Sequence, residues 1–414
     1  MGTTRLLLLL AGLVVVGLAV AGRRLPRLYS ATALMLLNTL VLLAALELAA
    51  AAILQVTKEP PAAEEPASDR ASASSYYRNR DWARQYWSEF GARPRNRYRP
   101  YVLWRMAPYE SRLIRVDEQG VRLTPGSICD AGAYTVFFFG GSTAWGLGSP
   151  DWGTIPAYLR EELATVLRRP VCMRNFGELG WVSTQDLIQL ERELQAERVP
   201  DLAIFYGGVN DVVMGYQHGE PGLHWELRKI TERLERPDED RGGGLSELRW
   251  QSNLYRLAVK VKTPAPPPVD SVVTHTSRAG FVADSVADQV AALYLTNYRL
   301  AAALGRDYGF GVEFFWQPNA LVDPKPLTTE EDRYRRAENI APLIERVTRR
   351  VQSTAPAHPH FHDLTRVFAG LADLVYLDWH HITPDGNRLV AQAMLDTLRR
   401  SGALRPPRGS ATGR

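Results

Sequence analysis

Lysine and cysteine are the scarce residues. Five lysines stand against 44 arginines, and basic side chains exceed acidic ones by only +4 over 414 residues. No stretch of five to eight residues is rich in Lys and Arg, so the chain lacks the footprint of a nucleic-acid surface. Two cysteines, Cys129 and Cys172, are too few for a disulfide-dense scaffold or a four-cysteine zinc site. With 45% hydrophobic and 23% charged residues, a disordered chain and a coiled coil are also excluded. The length allows two or three domains.

What is present begins with hydrophobic runs at the amino end. Leu6 to Gly22 is uninterrupted, and Ala33 to Val56 is broken only by Asn38, Thr39, Glu47 and Gln55. At 1.5 Å per residue the first spans about 25 Å and the second somewhat more than a ~30 Å hydrocarbon core. Arg23, Arg24 and Arg27 lie between them, with Pro26 at the turn. Positive charge in a short loop marks the cytoplasmic side, which predicts a hairpin (residues 1–56) with both ends outside the cytoplasm. The competing reading is a cleaved signal peptide ending at Ala19-Val20-Ala21. It would put three arginines outside, against the charge rule. Either way the second run tethers the remainder of the chain. Glu47 falls near the far interface and receives no role.

Residues 57–75 are rich in Pro, Ala, Ser and Glu without periodicity and read as a flexible linker. Residues 76–132 are rich in aromatics and Arg; an irregular β-rich collar is expected there, with a carbohydrate platform as the alternative. A main domain over 133–402 carries a long insertion at 212–284, and 403–414 reads as a disordered tail. Within the domain, short apolar runs at 134–139, 171–176, 202–207 and 312–317 look like buried parallel strands, with a weaker fifth near His360–Leu364. Helical stretches at Ile155–Leu167, Thr184–Glu197, Asp284–Leu304, Glu330–Val351 and Pro384–Arg400 alternate with them. This predicts an α/β fold, a doubly wound parallel five-stranded sheet of flavodoxin-like order. In the insertion, Leu245–Val261 has helical character and precedes a proline run. So long a connection suits a lid or a substrate wall.

Ligands of such sheets bind beyond the carboxyl ends of the strands. The first strand ends in Gly140-Gly141-Ser142-Thr143, which lacks the lysine of a phosphate loop and, with Ala144, the last glycine of a nucleophile elbow. Asn175-Phe176-Gly177-Glu178-Leu179-Gly180 follows the second strand, and Gly207-Gly208-Val209-Asn210-Asp211 the third. Asp378-Trp379-His380-His381 stands near the carboxyl end, before Thr383-Pro384-Asp385-Gly386-Asn387.

These four blocks, in this order, resemble the SGNH (GDSL-like) hydrolases over about Tyr134 to Arg400. The resemblance implies Ser142 as nucleophile, Asp378 and His381 as the rest of a triad, and Ser142, Gly180 and Asn210 as oxyanion-hole donors. The chain departs from the family pattern at Gly141, which replaces the aspartate of Gly-Asp-Ser. Serine needs an adjacent base near neutral pH. His381 would supply it and Asp378 would fix its tautomer, with His380 as the rival two residues from the acid.

No cofactor and no metal is expected. His358, His360, His362 and Asp363 superficially suggest a metal set, yet beside a strand they read as partly exposed histidines. The two cysteines could pair, since their segments would be neighbours in a 2-1-3 strand order; a buried free pair is the alternative. The expectation is a membrane-tethered extracytoplasmic serine esterase acting on an envelope glycan or lipid ester, without a nucleic-acid partner. An O-acyltransferase on an envelope polysaccharide with the same triad, and a non-catalytic envelope scaffold, are the alternatives.

Overall fold

The computed structural model describes residues 17, 20, 26–56, 74–227, 230–231, 252–262, 283–337, 339–354 and 357–404. The chain divides into two compact units, one of residues 1–63 with 228–270 and the other of 64–227 with 271–414.

In the first unit, helix Pro26–Val56 holds a 27-residue stretch, Ser30–Val56, of mean hydropathy 2.2 that is long and apolar enough to cross a membrane. The first apolar run, and with it the hairpin and the signal-peptide alternative, lies almost wholly outside the described residues. Glu47 does have a structural part. Its carboxylate accepts the Ser252 hydroxyl, the Asn253 N–H (2.7 Å) and the Leu254 N–H (3.5 Å), capping the orphan donors at the start of helix Asn253–Lys262. The described helix of the insertion therefore packs on the apolar helix. The sequence shows both helices but not their pairing, because the contact joins residues some two hundred positions apart.

The second unit opens with the collar. Its start is helical, not β-rich: Ser75–Arg78 and Ala83–Ala92 precede the strand pairs β1 (Arg97–Arg99) with β2 (Leu103–Arg105) and β3 (Tyr109–Glu110) with β4 (Arg115–Val116). Tyr86, Trp87 and Phe90 fall at helical spacing and are buried with Tyr77, Met106, Ile114 and Trp145 in one cluster. Ser74 caps the first helix, and Ser75 Oγ donates to Glu330 (2.6 Å). Ser74 and Ser75, inside the expected linker, thus belong to the described structure; residues 57–73 lie outside the described set.

The main sheet contains β5 (Tyr134–Gly140), β6 (Val171–Asn175), β7 (Leu202–Gly207), β8 (Gly311–Trp316) and β9 (Phe361–Asp363), all parallel, in the order β6-β5-β7-β8-β9. This is the flavodoxin-like order. Alternate side chains build two cores, which is why the strands read as continuous apolar runs. Phe137, Phe139, Phe205, Phe314 and Trp316 face helices Ser183–Gln195, Ala283–Tyr308 and Ala341–Thr354. Val136, Phe138, Met173, Ile204 and Phe315 face helices Ile155–Leu167 and Pro384–Arg400.

Three expectations change. The helix expected over Glu330–Val351 is two, Thr329–Ala337 and Ala341–Thr354. Pro342 sits in the first turn of the second helix, where a missing N–H costs nothing, whereas inside one long helix it would break a hydrogen bond. The insertion boundary at 212 falls inside helix Val209–His218. The tail boundary at 403 falls on a buried residue, since Ala403 is 5% exposed and its N–H meets Leu398 O (3.1 Å). Residues 405–414 lie outside the described set. Cys129 and Cys172 form a disulfide with Cα atoms 4.6 Å apart, their segments aligned by Ile128 N–H on Val171 O (3.1 Å).

Candidate active site

Strand β5 delivers Ser142. Gly140 has φ +147°, and a Cβ there would lie 2.0 Å from Tyr206 O, so the backbone crosses β7 too closely for any side chain. The chain then turns at once into a single helical turn, Ser142–Trp145, closed by Gly146 N–H on Ser142 O (2.9 Å). Ser142 is 8% exposed at the carboxyl edge of the sheet.

The other end of the chain reaches the same edge. Tyr376 and Ile382 form an antiparallel bridge, and Leu377 N–H meets His381 O (2.8 Å), folding residues 376–382 into a tight turn. Within it, Asp378 Oδ1 accepts the His380 and His381 N–H groups (2.8 and 2.7 Å). Asp378 Oδ2 lies 2.6 Å from His381 Nδ1, and His381 Nε2 lies 2.7 Å from Ser142 Oγ. A carboxylate only accepts, so Nδ1 carries the proton and the Nε2 lone pair faces the serine. Burial works to raise the Asp378 carboxyl, but the His381 and His380 rings and the hydrogen bonds from His381 outweigh it and hold the group well below the usual carboxylate range.

His380 is placed differently. Its Nδ1 lies 3.3 Å from Asp378 Oδ1, its ring 4.0 Å from that of His381, and burial pushes it down to about 3. Asp378, His380 and His381 bring ligand-type atoms within 4.8 Å of one another, a spacing that could hold a cation. The inner pair is committed to the serine.

Asn210 and Gly180 flank the turn. A Cβ on Gly141 would lie 2.4 Å from Asn210 Nδ2, so the Asn210 amide occupies the space where an aspartate side chain would begin; Nδ2 also donates to Trp181 O (2.7 Å). Among the described residues, neither the Ser142 nor the Gly180 N–H has a protein acceptor. Gly180 is open, with Trp104 and Trp225 no nearer than 3.8 and 4.0 Å to a Cβ built on it.

Beneath these groups is a cavity of about 10 Å³, enough for one water. Ser183, Asp186, Asn210, Asp211, Tyr294 and Gln317 contribute to its lining. Asp211 accepts the Ser183 hydroxyl (2.5 Å), and burial pushes its carboxyl up to about 6. Burial and the neighbouring Asp211 push Asp186 well above its ordinary value. Asp186 Oδ1 and Gln317 Nε2 have no partner among the described residues. Asn210 and Asp211 belong to the block after the third strand, but nothing in the sequence signals Asp186, which sits on a helix like any polar residue.

His360 and His362, beside and on β9, share one carboxylate. His360 Nδ1 (3.0 Å) and His362 Nε2 (2.5 Å) grip opposite oxygens of Glu313 on β8, a residue only 1% exposed. Asp363 instead accepts from Gln352 and Thr365.

Fold and site thus define an α/β protein with a serine–histidine–aspartate chain at the carboxyl ends of its strands. No protein-family model matches the chain, and no curated protein matches it. Its likeness is to solved lipolytic proteins and esterases. A lipase from a goat rumen metagenome is 15% identical with a TM-score of 0.38, over 66% of this chain and 99% of that one. An acetyl xylan esterase is 15% identical with a TM-score of 0.36, over 64% and 99%. A member of the lipolytic G-D-S-L family from Veillonella parvula is 12% identical with a TM-score of 0.35, over 64% and 98%. At such identities and scores the matches carry no inference about chemistry, which rests on the side-chain geometry.

Proposed function

We propose that the chain is a membrane-tethered serine esterase-type acyl hydrolase. The observation that carries this reading is the hydrogen-bonded series Ser142 Oγ–His381 Nε2–His381 Nδ1–Asp378 Oδ2, with contacts of 2.7 and 2.6 Å. Ser142 Oγ attacks the ester carbonyl as His381 Nε2 takes its proton, and Asp378 steadies the imidazolium. The carbonyl oxygen, now negative, takes hydrogen bonds from the Ser142 and Gly180 N–H groups and from the Asn210 amide. The intermediate collapses, the C–O bond to the alcohol breaks, and the alcohol leaves with the proton held on His381. Water then attacks the acyl-serine with His381 again as base, releasing the acid and restoring Ser142.

Helix Pro26–Val56 is the tether. Arg23, Arg24 and Arg27 favour a cytoplasmic loop between two spans and an extracytoplasmic catalytic domain. An ester on an envelope glycan or lipid is then the substrate class within reach. Transfer of the acyl group to a sugar hydroxyl would use the same triad.

The test is release of acid from chromogenic esters of graded acyl length by the full-length protein in detergent micelles, with and without a glycan acceptor. Turnover by the wild-type chain and none by Ser142→Ala supports the reading. Equal turnover by both sinks it, and acylated glycan as the main product moves the reading to transferase.

A further inference from the structure

We infer that the collar is part of the catalytic apparatus: Arg122 acts as a positioning residue that, with Asp151, clamps the helical turn carrying Ser142. This rests on the esterase reading above.

Arg122 is a wholly buried cation, its side chain 0% exposed, against an Asp151 side chain 5% exposed. Such a charge is tolerable only when its donors are matched. Nε donates to Asp151 Oδ1 (3.0 Å), Nη1 to Trp145 O and Gly146 O (both 2.9 Å), and Nη2 to Ser149 O (2.7 Å). The guanidinium carbon also lies 4.1 Å from the centroid of the Trp145 ring. Trp145 ends the Ser142 turn and Gly146 caps it, so neither carbonyl has an intrahelical donor. Ala144 O, which the turn also leaves without an intrahelical donor, accepts from Asn175 Nδ2 (3.1 Å).

The clamp is itself anchored. The Arg122 backbone bridges Val116 on one side and Asn175, the last residue of β6, on the other. Asp151 is held by Arg115 of β4 through Nε on Oδ2 (3.0 Å) and N–H on Oδ1 (3.3 Å). The turn that aims Ser142 Oγ at His381 therefore cannot shift along the sheet edge without stranding a buried guanidinium. A misplacement of about 1 Å at a reacting group costs roughly 100-fold in rate.

The experiment uses full-length wild-type protein, Arg122→Lys and Asp151→Asn. It measures kcat and KM on a chromogenic ester well below the unfolding temperature, and the rate at which an organophosphonate probe labels Ser142, read by mass spectrometry. Lysine keeps the charge but cannot span four acceptors. Arg122→Lys should lose roughly 100-fold in kcat at unchanged KM and unchanged pH midpoint, with the labelling rate falling in parallel. Asp151→Asn should show a smaller loss in the same direction. A merely structural Arg122 would lower the melting temperature and leave both rates of the folded enzyme alone, and that result overturns the inference. Should Arg122→Lys fail to fold, wild-type labelling of Asp151→Asn overturns it instead. A wild-type chain that is not labelled at Ser142 removes the esterase reading first, a different failure.

Discussion

Two places in the α/β domain set histidine against carboxylate, and they are built for opposite ends. At one, a single carboxylate, Asp378, takes two backbone N–H groups and one His381 nitrogen, leaving the other ring nitrogen on Ser142. At the other, two histidines, His360 and His362, spend a nitrogen each on one buried carboxylate, Glu313. A histidine–carboxylate pair is therefore not in itself a site. What distinguishes the first is the far ring nitrogen: His381 Nε2 faces the Ser142 hydroxyl, while main-chain N–H groups hold Asp378 in place behind Nδ1. In the second, His360 and His362 each give one nitrogen to the same acid, and among the described residues no hydroxyl or thiol hydrogen-bonds their other nitrogen.

Breaking the first assembly should cost rate without stability. Ser142→Ala or His381→Ala should lower kcat on the order of 10⁴–10⁶-fold, with thermal unfolding nearly unchanged. Asp378→Asn should follow at roughly 10⁴-fold, because an amide disturbs the tautomer that keeps Nε2 free. Steady-state kinetics on purified variants checks both, and near-wild-type turnover in any of the three would break the comparison at its catalytic end.

Gly141→Ala sharpens it. The new Cβ would sit 2.4 Å from Asn210 Nδ2, so the amide must move. If that amide is an oxyanion donor, the loss should approach the roughly 2.7–4 kcal/mol of a deleted donor, with little change in KM. Asn210→Ala should match it, and the double variant should add little.

The second assembly should behave the other way. His362→Ala leaves a buried acceptor unmatched and should cost about 1–3 kcal/mol of stability, read by denaturant unfolding, while kcat stays level. A fall in kcat without loss of stability would show that the two assemblies are not separate in role.

The smallest effect expected is one of pH. The Asp186 and Asp211 carboxyls are both raised in the folded chain, Asp211 from 3.8 to about 6. Folding thus favours their protonated forms, and the stability this adds is present below pH ~4 and lost as pH rises through the raised value of each group, about 6 for Asp211. Arg105 partly offsets the charge on Asp186, and Tyr294 faces both acids. Asp186→Asn should flatten this decline and raise the melting temperature at pH 8 by roughly 2–4 °C per kcal/mol recovered. An unchanged pH profile of melting would mean that the buried pair is not what titrates.

Legibility in the sequence tracks the range of the contacts. The strands are legible to within a residue or two because burial on both faces writes itself as an apolar run. Ser142, Asp378 and His381 are legible because each block is local, a glycine turn or a D-x-x-H turn. Arg122 is not: it is one arginine among 44, and its meaning comes from carbonyls that only the fold brings to it. Glu313 is hidden for a similar reason, being a single acid in an apolar strand whose partners lie on the next strand over. The helical opening of the collar is obscured by its arginines, which mask a buried aromatic face at helical spacing.

The most direct test of the central claim is to treat the full-length protein with an organophosphonate probe and locate the adduct by mass spectrometry. The account predicts one adduct, on Ser142, formed by the wild-type chain and suppressed by His381→Ala but not by His360→Ala. An adduct elsewhere, or labelling of Ser142 that does not depend on His381, would contradict it.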